Sequence, residues 1–115
     1  MVEGKEVLDR RKDSRVKTNK DIFLSINGVG IVVAKVKNFS EYGLCLEILW
    51  SLYKESNKVC ISLDSKKWFE ARVIWKKINP PYVTLGIKFS SQITQLEKIK
   101  MKKFFMQPIV EKKYD

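Results

Sequence analysis

The sequence lacks histidine entirely and has only two cysteines in 115 residues. Without histidine, a Ser–His or Cys–His nucleophile pair cannot form. Cys45 and Cys60 do not have the CxxC spacing of a zinc site, and both lie in apolar, strand-like segments. We therefore expect two reduced, buried thiols and no metal site.

Glycine and long apolar runs are also scarce. The five glycines do not have the spacing of a P-loop or of a dinucleotide-binding turn, and the carboxylates are scattered singly along the chain. The longest apolar run, residues 29–34, is far too short to span a bilayer, and no apolar segment typical of a signal peptide is present. These absences predict a cytoplasmic binding protein without a cofactor rather than an enzyme.

Positive charge, in contrast, is abundant. The chain has 23 lysines and arginines against 13 acidic residues, which gives a net charge of +10 and an isoelectric point near 9.7. Such a balance favours an anionic partner, which can be a nucleotide, a nucleic acid or a membrane surface. Hydrophobic residues make up 44% of the sequence, which is enough for one folded domain of this length.

Alternation of apolar and polar residues predicts β-strands through most of the chain. Asn27 and Gly28, between the first two strands, predict a tight hairpin of type I′. In the fifth strand, strict alternation places Trp75 on the same face as Val73, which predicts a buried core tryptophan. The short connections indicate a small antiparallel barrel or sandwich. The six predicted strands are DIFLSIN, GIVVAKVKN, LCLEI, KVCISLD, WFEARVIWKK and YVTLGIKF.

A helix is predicted after the last strand. Ser90 and Ser91 are candidate N-caps for a helix that ends near Met106, two residues before Pro108. The face predicted to pack carries the apolar residues Ile93, Leu96 and Phe104. A basic membrane-surface helix is the alternative, but the apolar and basic faces are not cleanly separated, which favours packing on the barrel or on a partner.

Arginines cluster just before the first predicted strand. The segment DRRKDSR, residues 9–15, contains R-x-x-x-R as Arg11 and Arg15, with Arg10 immediately before it. On its own such a cluster is typical of a solvated N-terminus. The alternative is an anion-binding arm, which needs a second binding element elsewhere in the chain.

A second motif, N-x-S-x-x-G, lies at the predicted turn between the second and third strands. It consists of Asn38, Ser40 and Gly43. Asparagine and serine bond nearby backbone in turns, and glycine supplies a positive φ, so the motif taken alone indicates a turn.

The two motifs in this order resemble those of the PilZ domain, a bacterial receptor module for cyclic di-GMP (c-di-GMP). Members of that family have RxxxR in an N-terminal arm and [D/N]xSxxG between barrel strands two and three. LGIKF, residues 85–89, is similar to the family's last strand. The resemblance implies an all-β, six-stranded antiparallel β-barrel with a C-terminal α-helix. It also implies a flexible arm over residues 1–20, the barrel and helix over 21–106, and a tail over 107–115.

The residue types suit a ligand with two phosphates and two guanines. The arginine fork matches both a phosphate and the O6/N7 edge of guanine. The resemblance implies that Arg11 and Arg15, roughly 13 Å apart in an extended arm, clamp the ligand. Asn38, Ser40 and Gly43 would form the platform that receives it.

The resemblance also has implications for Arg10 and Trp75. In the family, an arginine at the position of Arg10 accompanies an intercalated dimer of the ligand. Trp75 falls where some members place an aromatic ring against a guanine, in conflict with the buried position that alternation predicts.

The resulting hypothesis is a c-di-GMP receptor whose arm becomes ordered on ligand binding and which signals through a separate, unidentified protein partner. One alternative is a PilZ-like adaptor that binds proteins without the ligand. Another is a small basic barrel that binds single-stranded nucleic acid, which ranks third because most aromatic residues alternate as core positions do.

Overall fold

The computed structural model describes residues 15–27 and 29–107 of the chain. Six antiparallel strands follow one another around a barrel in the order β3, β2, β5, β6, β7 and β4, and β4 pairs with β3 to close it. Their bounds are β2 Asp21–Ile26, β3 Gly30–Ser40, β4 Gly43–Leu49, β5 Lys58–Ser62, β6 Phe69–Asn79 and β7 Tyr82–Phe89. The predicted six-stranded antiparallel barrel is confirmed.

Three smaller elements complete the fold. A two-residue strand, β1 (Val16–Lys17), pairs with the far end of β3, beyond the part that pairs with β2. A short 3-10 helix (Trp50–Leu52) follows β4, and the helix α1 (Gln95–Met106) follows β7. In the described part of the chain, no helix is long and apolar enough to cross a membrane.

The barrel interior is built by the alternation visible in the sequence. Inward side chains of neighbouring strands, such as Leu24, Ala34, Leu46, Ile61 and Leu85, are completely removed from solvent. Burial of each large aliphatic side chain contributes about 1.5–3 kcal/mol before the entropy of ordering is counted. The closed core therefore holds the outer face of the barrel, where the candidate site lies, in a fixed geometry.

The segment predicted as an arm contacts the barrel at its last residues. The Thr18 N–H donates to the Lys37 carbonyl, and the Val36 N–H donates to the Lys20 carbonyl. Residues 1–14 and 108–115 lie outside the described residues, so the division into arm, barrel and tail stays a prediction.

The β2–β3 hairpin lies where Asn27 and Gly28 predicted it, with a turn one residue longer than expected. Ile26 pairs with Gly30, which leaves three residues between the partners, and the Val29 N–H donates to the Ile26 carbonyl. Gly30 has a φ of 103°, a conformation that side-chain-bearing residues rarely adopt.

The helix begins later than predicted. Thr94, not Ser90 or Ser91, is its N-cap: the Thr94 hydroxyl accepts from the Glu97 N–H at 3.1 Å, and the Glu97 carboxylate accepts from the Thr94 N–H at 2.9 Å. This reciprocal capping box satisfies two backbone donors at once and outcompetes a single serine cap. Ser90 instead accepts from the Gln92 N–H in the preceding turn.

The packed face agrees only in part with the predicted one: Ile93 is buried and Phe104 is half-buried against the core, as predicted. Met101 and Phe105, four residues apart, are buried, and the Phe105 ring lies 5.1 Å from the ring of Phe39 on β3. Leu96 and Ile99 are 61% and 47% exposed. Apolar residues surround this helix on several sides, so its sequence pattern did not determine which face would pack against the barrel end.

A β-bulge in β3 changes which residues face outward. Val36 pairs with Leu46 and Asn38 pairs with Cys45, so Lys37 is an extra residue with no partner on β4. One extra residue reverses the in–out order of everything after it. Asn38 and Ser40 therefore point away from the core that Val36 faces.

A second bulge in β6 has the same effect on Trp75. Val73 pairs with Ile87 and Trp75 pairs with Gly86, so Ile74 is the extra residue. The prediction that Trp75 is a buried core tryptophan is wrong, because the bulge turns its side chain to the outer surface. The side chain is 46% exposed.

Candidate functional site

A groove of about 800 Å³ lies on the outer face of the barrel, where β3, β4, β7 and β6 adjoin. The two bulged strands supply opposite sides of it, and the residue preceding β1 contributes a basic side chain. Its lining residues are Arg15, Lys17, Asn38, Ser40, Tyr42, Gly43, Leu44, Cys45, Ile74, Trp75, Gly86, Ile87 and Lys88.

The polar side of the groove is the end of β3 and its turn into β4. Asn38 and Ser40 were predicted in a turn, but both belong to β3, and only the two residues after Ser40 form the turn. The Ser40 hydroxyl accepts from the Tyr42 N–H at 3.2 Å and lies 3.5 Å from the Gly43 carbonyl, to which it donates. Ser40 thus fixes the turn and presents its oxygen at the groove wall.

Gly43 is required by contact between strands, not by a special turn conformation. It pairs with Ser40 on one side and with Lys88 on the other. A Cβ at this position would lie 1.9 Å from the Ile87 carbonyl oxygen. Among the described glycines only Gly30 has a positive φ. A positive φ in the turn is therefore not the reason why position 43 requires glycine.

The aromatic side of the groove is Trp75 lying across Gly86. A Cβ on Gly86 would be 2.1 Å from the indole Nε1 of Trp75. Only a glycine leaves room for the ring to rest against the backbone of β7. Trp75 is therefore held on the strand beneath it while part of its surface remains open to the groove.

The groove carries positive charge and no opposing carboxylate. Arg15, Lys17 and Lys88 are among its lining residues, and that lining contains neither aspartate nor glutamate. Burial raises the pKa of the Cys45 thiol, although the nearby charges of Arg15 and Lys37 act in the opposite direction. The Glu47 carboxylate also raises the pKa of this thiol, so Cys45 is neutral at pH 7. The charged residues that line the groove itself are all cations, which favours an anionic ligand.

Five of the seven predicted site residues meet in this groove, and the other two, Arg10 and Arg11, lie outside the described residues. The sequence reasoning missed Lys17, Tyr42, Gly86 and Lys88. Lys88 is the outward residue of the alternating segment LGIKF, and Gly86 lies in the same segment. Their roles depend on which strand lies beside β7, and that neighbour is not visible in the local sequence.

Comparison with solved structures supports the same architecture. A crystal structure of YcgR from Escherichia coli in complex with c-di-GMP matches with a TM-score of 0.53 and 10% identity, over 78% of this chain and 42% of that one. The PlzA protein of Borreliella burgdorferi, also in complex with c-di-GMP, matches with a TM-score of 0.52 and 16% identity, over 94% of this chain and 60% of that one. The chain spans less than two thirds of either neighbour.

No curated protein sequence matches the chain significantly. The family profile described as "PilZ domain" matches residues 9–107, nearly the whole length, including both arginine and N-x-S-x-x-G motifs. This match, with a closed six-stranded barrel, a C-terminal helix and a groove at the second motif, shows that the chain belongs to the PilZ domain family.

Proposed function

We propose that this chain is a receptor for c-di-GMP that binds the ligand in the groove between β3 and β6 and reports its presence to a partner protein. The observation that carries the proposal is the meeting of Arg15, Asn38, Ser40 and Trp75 around one groove without a carboxylate. Two structural neighbours of the same fold are complexes with c-di-GMP, which supports the choice of ligand.

Each group matches a part of the ligand. The Arg15 guanidinium can bind a phosphate or the O6/N7 edge of a guanine with two parallel hydrogen bonds. Asn38 can both donate to and accept from a guanine edge, and the Ser40 hydroxyl can donate to a phosphate oxygen. The indole of Trp75 can stack on a guanine, an interaction worth about 1–3 kcal/mol per base.

The remaining arginines would complete the site from the N-terminal side. Arg11 and Arg15 are four residues apart, so in an extended segment both point toward the same face. We propose that Arg11 clamps the ligand opposite Arg15, that the arm becomes ordered as its charges are neutralised, and that Arg10 recruits a second, intercalated ligand molecule.

The output of the receptor would be binding, not catalysis. The groove offers hydrogen-bonding, stacking and positively charged groups, and these recognise a dinucleotide without breaking a bond in it. We propose that the signal passes, in the cytoplasm, to a separate protein that distinguishes the ligand-covered surface from the bare one.

Calorimetric titration with c-di-GMP tests this proposal. Arg15→Ala should lower affinity at least tenfold, and Arg15→Lys, which keeps the charge but loses the planar fork, should recover only part of it. Lys102→Ala, which removes one charge from an exposed helix position, is the control and should bind like the wild type. A stoichiometry near two ligands per chain would support the role of Arg10.

Three results would overturn the proposal. The first is the absence of both heat and thermal stabilisation from a folded wild-type protein. The second is equal affinity for c-di-AMP, since the groups at the groove are matched to guanine. The third is binding that disappears between 50 and 200 mM salt whatever the base, because that behaviour is typical of non-specific nucleic-acid binding in which counterions are released.

A further inference from the structure

A second groove, of about 860 Å³, lies beside the first on the outer face of the barrel. It extends over β5, β6 and β7 toward the start of α1. Tyr42 and Lys88 line both grooves, so these two residues form the wall between them.

Three cations stand side by side across this second groove. Lys58 on β5 pairs with Arg72 on β6, and Arg72 pairs with Lys88 on β7, so the three residues form a cross-strand row that we name the cationic row. All three are exposed. Directly opposite side chains on one sheet face lie about 5 Å apart, and like charges in that arrangement are destabilising.

The charges of the cationic row are not balanced within the described part of the chain. Ion pairs there join Lys35 to Asp21, Lys67 to Glu97, and Lys76 to Glu55, and none includes a residue of the row. The half-buried Lys98 adds a fourth cation to the groove, whose one carboxylate is Glu70. The groove therefore has a net positive charge, which an anion from outside could balance.

We propose that the cationic row is the docking site for an acidic, extended segment of a partner protein. Charge complementarity selects the occupant, because an extended segment can place carboxylates on one side at every second residue. Neutral hydrogen-bonding groups such as Ser25, Asn27 and Ser91 line the same groove and can bond the segment's backbone.

The composition of the groove disfavours the other polyanions. Single-stranded nucleic acid binds on exposed aromatic platforms, and Tyr42 is the one exposed aromatic residue in this lining. A membrane surface needs apolar side chains that can enter the lipid. Here the large apolar lining residues, Val59 and Phe89, are buried in the barrel.

The shared wall couples the two grooves. A dianionic ligand in the first groove would partly neutralise Lys88 and lower the affinity of the second groove for an acidic segment. This coupling rests on the proposed c-di-GMP function, whereas the docking site does not. By thermodynamic reciprocity, the acidic segment would weaken c-di-GMP binding by the same factor.

A labelled ten-residue peptide of alternating glutamate and serine is the probe, with a glutamine–serine peptide as the uncharged reference. We expect the acidic peptide to shift the amide NMR signals of Lys58, Arg72 and Lys88. Arg72→Glu should weaken its binding at least tenfold. Lys102→Glu, the same change of charge on the exposed face of α1, should weaken it less than twofold.

Thermal unfolding shows whether the weaker peptide binding of Arg72→Glu is caused by misfolding. Arg72→Glu places a carboxylate between two lysines, so we expect its Tm to rise above that of the wild type while peptide binding falls. Added c-di-GMP should lower the affinity of the wild-type protein for the acidic peptide at least threefold. Absence of c-di-GMP binding with peptide binding intact would refute the receptor function and leave the docking site standing.

Other results would overturn the docking site itself. One is an equal loss of peptide affinity in Arg72→Glu and Lys102→Glu, which would show attraction by net charge alone. Another is normal c-di-GMP binding with no amide shifts at the cationic row. A third is tighter binding of a ten-nucleotide oligothymidine than of the peptide, lost in Arg72→Glu, which would assign the groove to nucleic acid instead.

Discussion

β3 and β6 each contain a β-bulge with one extra residue, but the two bulges have different neighbouring strands. In β3 the extra residue is Lys37, and the strand beyond it is flanked by β1 and β4. In β6 the extra residue is Ile74, and the register with β5 ends at Arg72, so the strand beyond the bulge pairs only with β7. The β3 bulge therefore acts inside the fold and the β6 bulge at its surface.

The consequences for packing differ accordingly. Beyond the β3 bulge, the side chain of Phe39 lies in the core, where its ring packs against the rings of Phe89 and Phe105. After the β6 bulge every residue to the end of the strand is exposed. The β3 bulge positions residues of both the core and the site, while the β6 bulge positions residues of the site alone. This difference can be tested by truncating one side chain that follows each bulge.

Phe39→Ala should have the largest effect, because the residues after the β3 bulge place this ring in the core against Phe89 and Phe105. Loss of a buried phenylalanine costs about 3–5 kcal/mol. We expect a strongly lowered Tm, or no cooperative thermal transition, by circular dichroism. A cooperative transition with the wild-type Tm would show that the core does not need the ring that follows the β3 bulge.

Gly43→Ala should have the next largest effect, because the new methyl group meets the backbone of β7 and not a movable side chain. Overpacking of this kind costs about 3 kcal/mol at the upper end of its usual range. Urea unfolding measures the loss. Ser40→Ala, across the hairpin, is the matched control and should lose only about 1 kcal/mol with its turn hydrogen bonds. Equal losses would contradict the close β4–β7 contact.

Trp75→Ala should spare the fold and change the site. The side chain that the β6 bulge turns outward is 46% exposed, so we expect a loss of about 1 kcal/mol of stability, in the range of ordinary substitutions. Loss of the stacking ring should lower c-di-GMP affinity about tenfold, as measured by calorimetric titration. Collapse of the whole fold would show that the residues positioned by the two bulges are equally structural.

The smallest expected effect concerns the start of the helix that covers Phe39. The ammonium of Lys67 and the backbone N–H of Thr94 lower the pKa of Glu97 to about 2. A carboxyl whose pKa is lowered by folding stabilises the fold above its unfolded pKa, so this contribution is present above about pH 4.5 and disappears as the pH falls toward 2.

Glu97→Gln tests this pH dependence. The Tm of the wild type should exceed that of the variant by a few degrees at neutral pH, and the difference should vanish near pH 2. Lys67→Met removes the largest cause of the lowered pKa and should move the decline to higher pH. A constant difference from pH 7 to pH 2 would exclude the ionised carboxylate as its source.

Much of the fold was accessible from the sequence because alternation and turn residues are local. The six strands and the β2–β3 hairpin followed from them. The meeting of Arg15 with the N-x-S-x-x-G motif was implied by the resemblance to the PilZ family and not by either motif alone. The outward position of Trp75 did not, because a bulge is decided by pairing with a distant strand. The capping box of Thr94 and Glu97 was present in the sequence, but the neighbouring serines competed with it.

The contact between Gly43 and Ile87 bears on the order in which the proposed ligand would be recognised. Because Gly43 lies directly against the backbone of β7, the barrel side of the proposed site would exist before the ligand arrives and would need no reorganisation to receive it. In the proposed receptor, any adjustment would fall on the N-terminal residues. Changes on the barrel side should therefore alter how long a bound ligand stays, while changes in the N-terminal residues should alter how quickly it is captured.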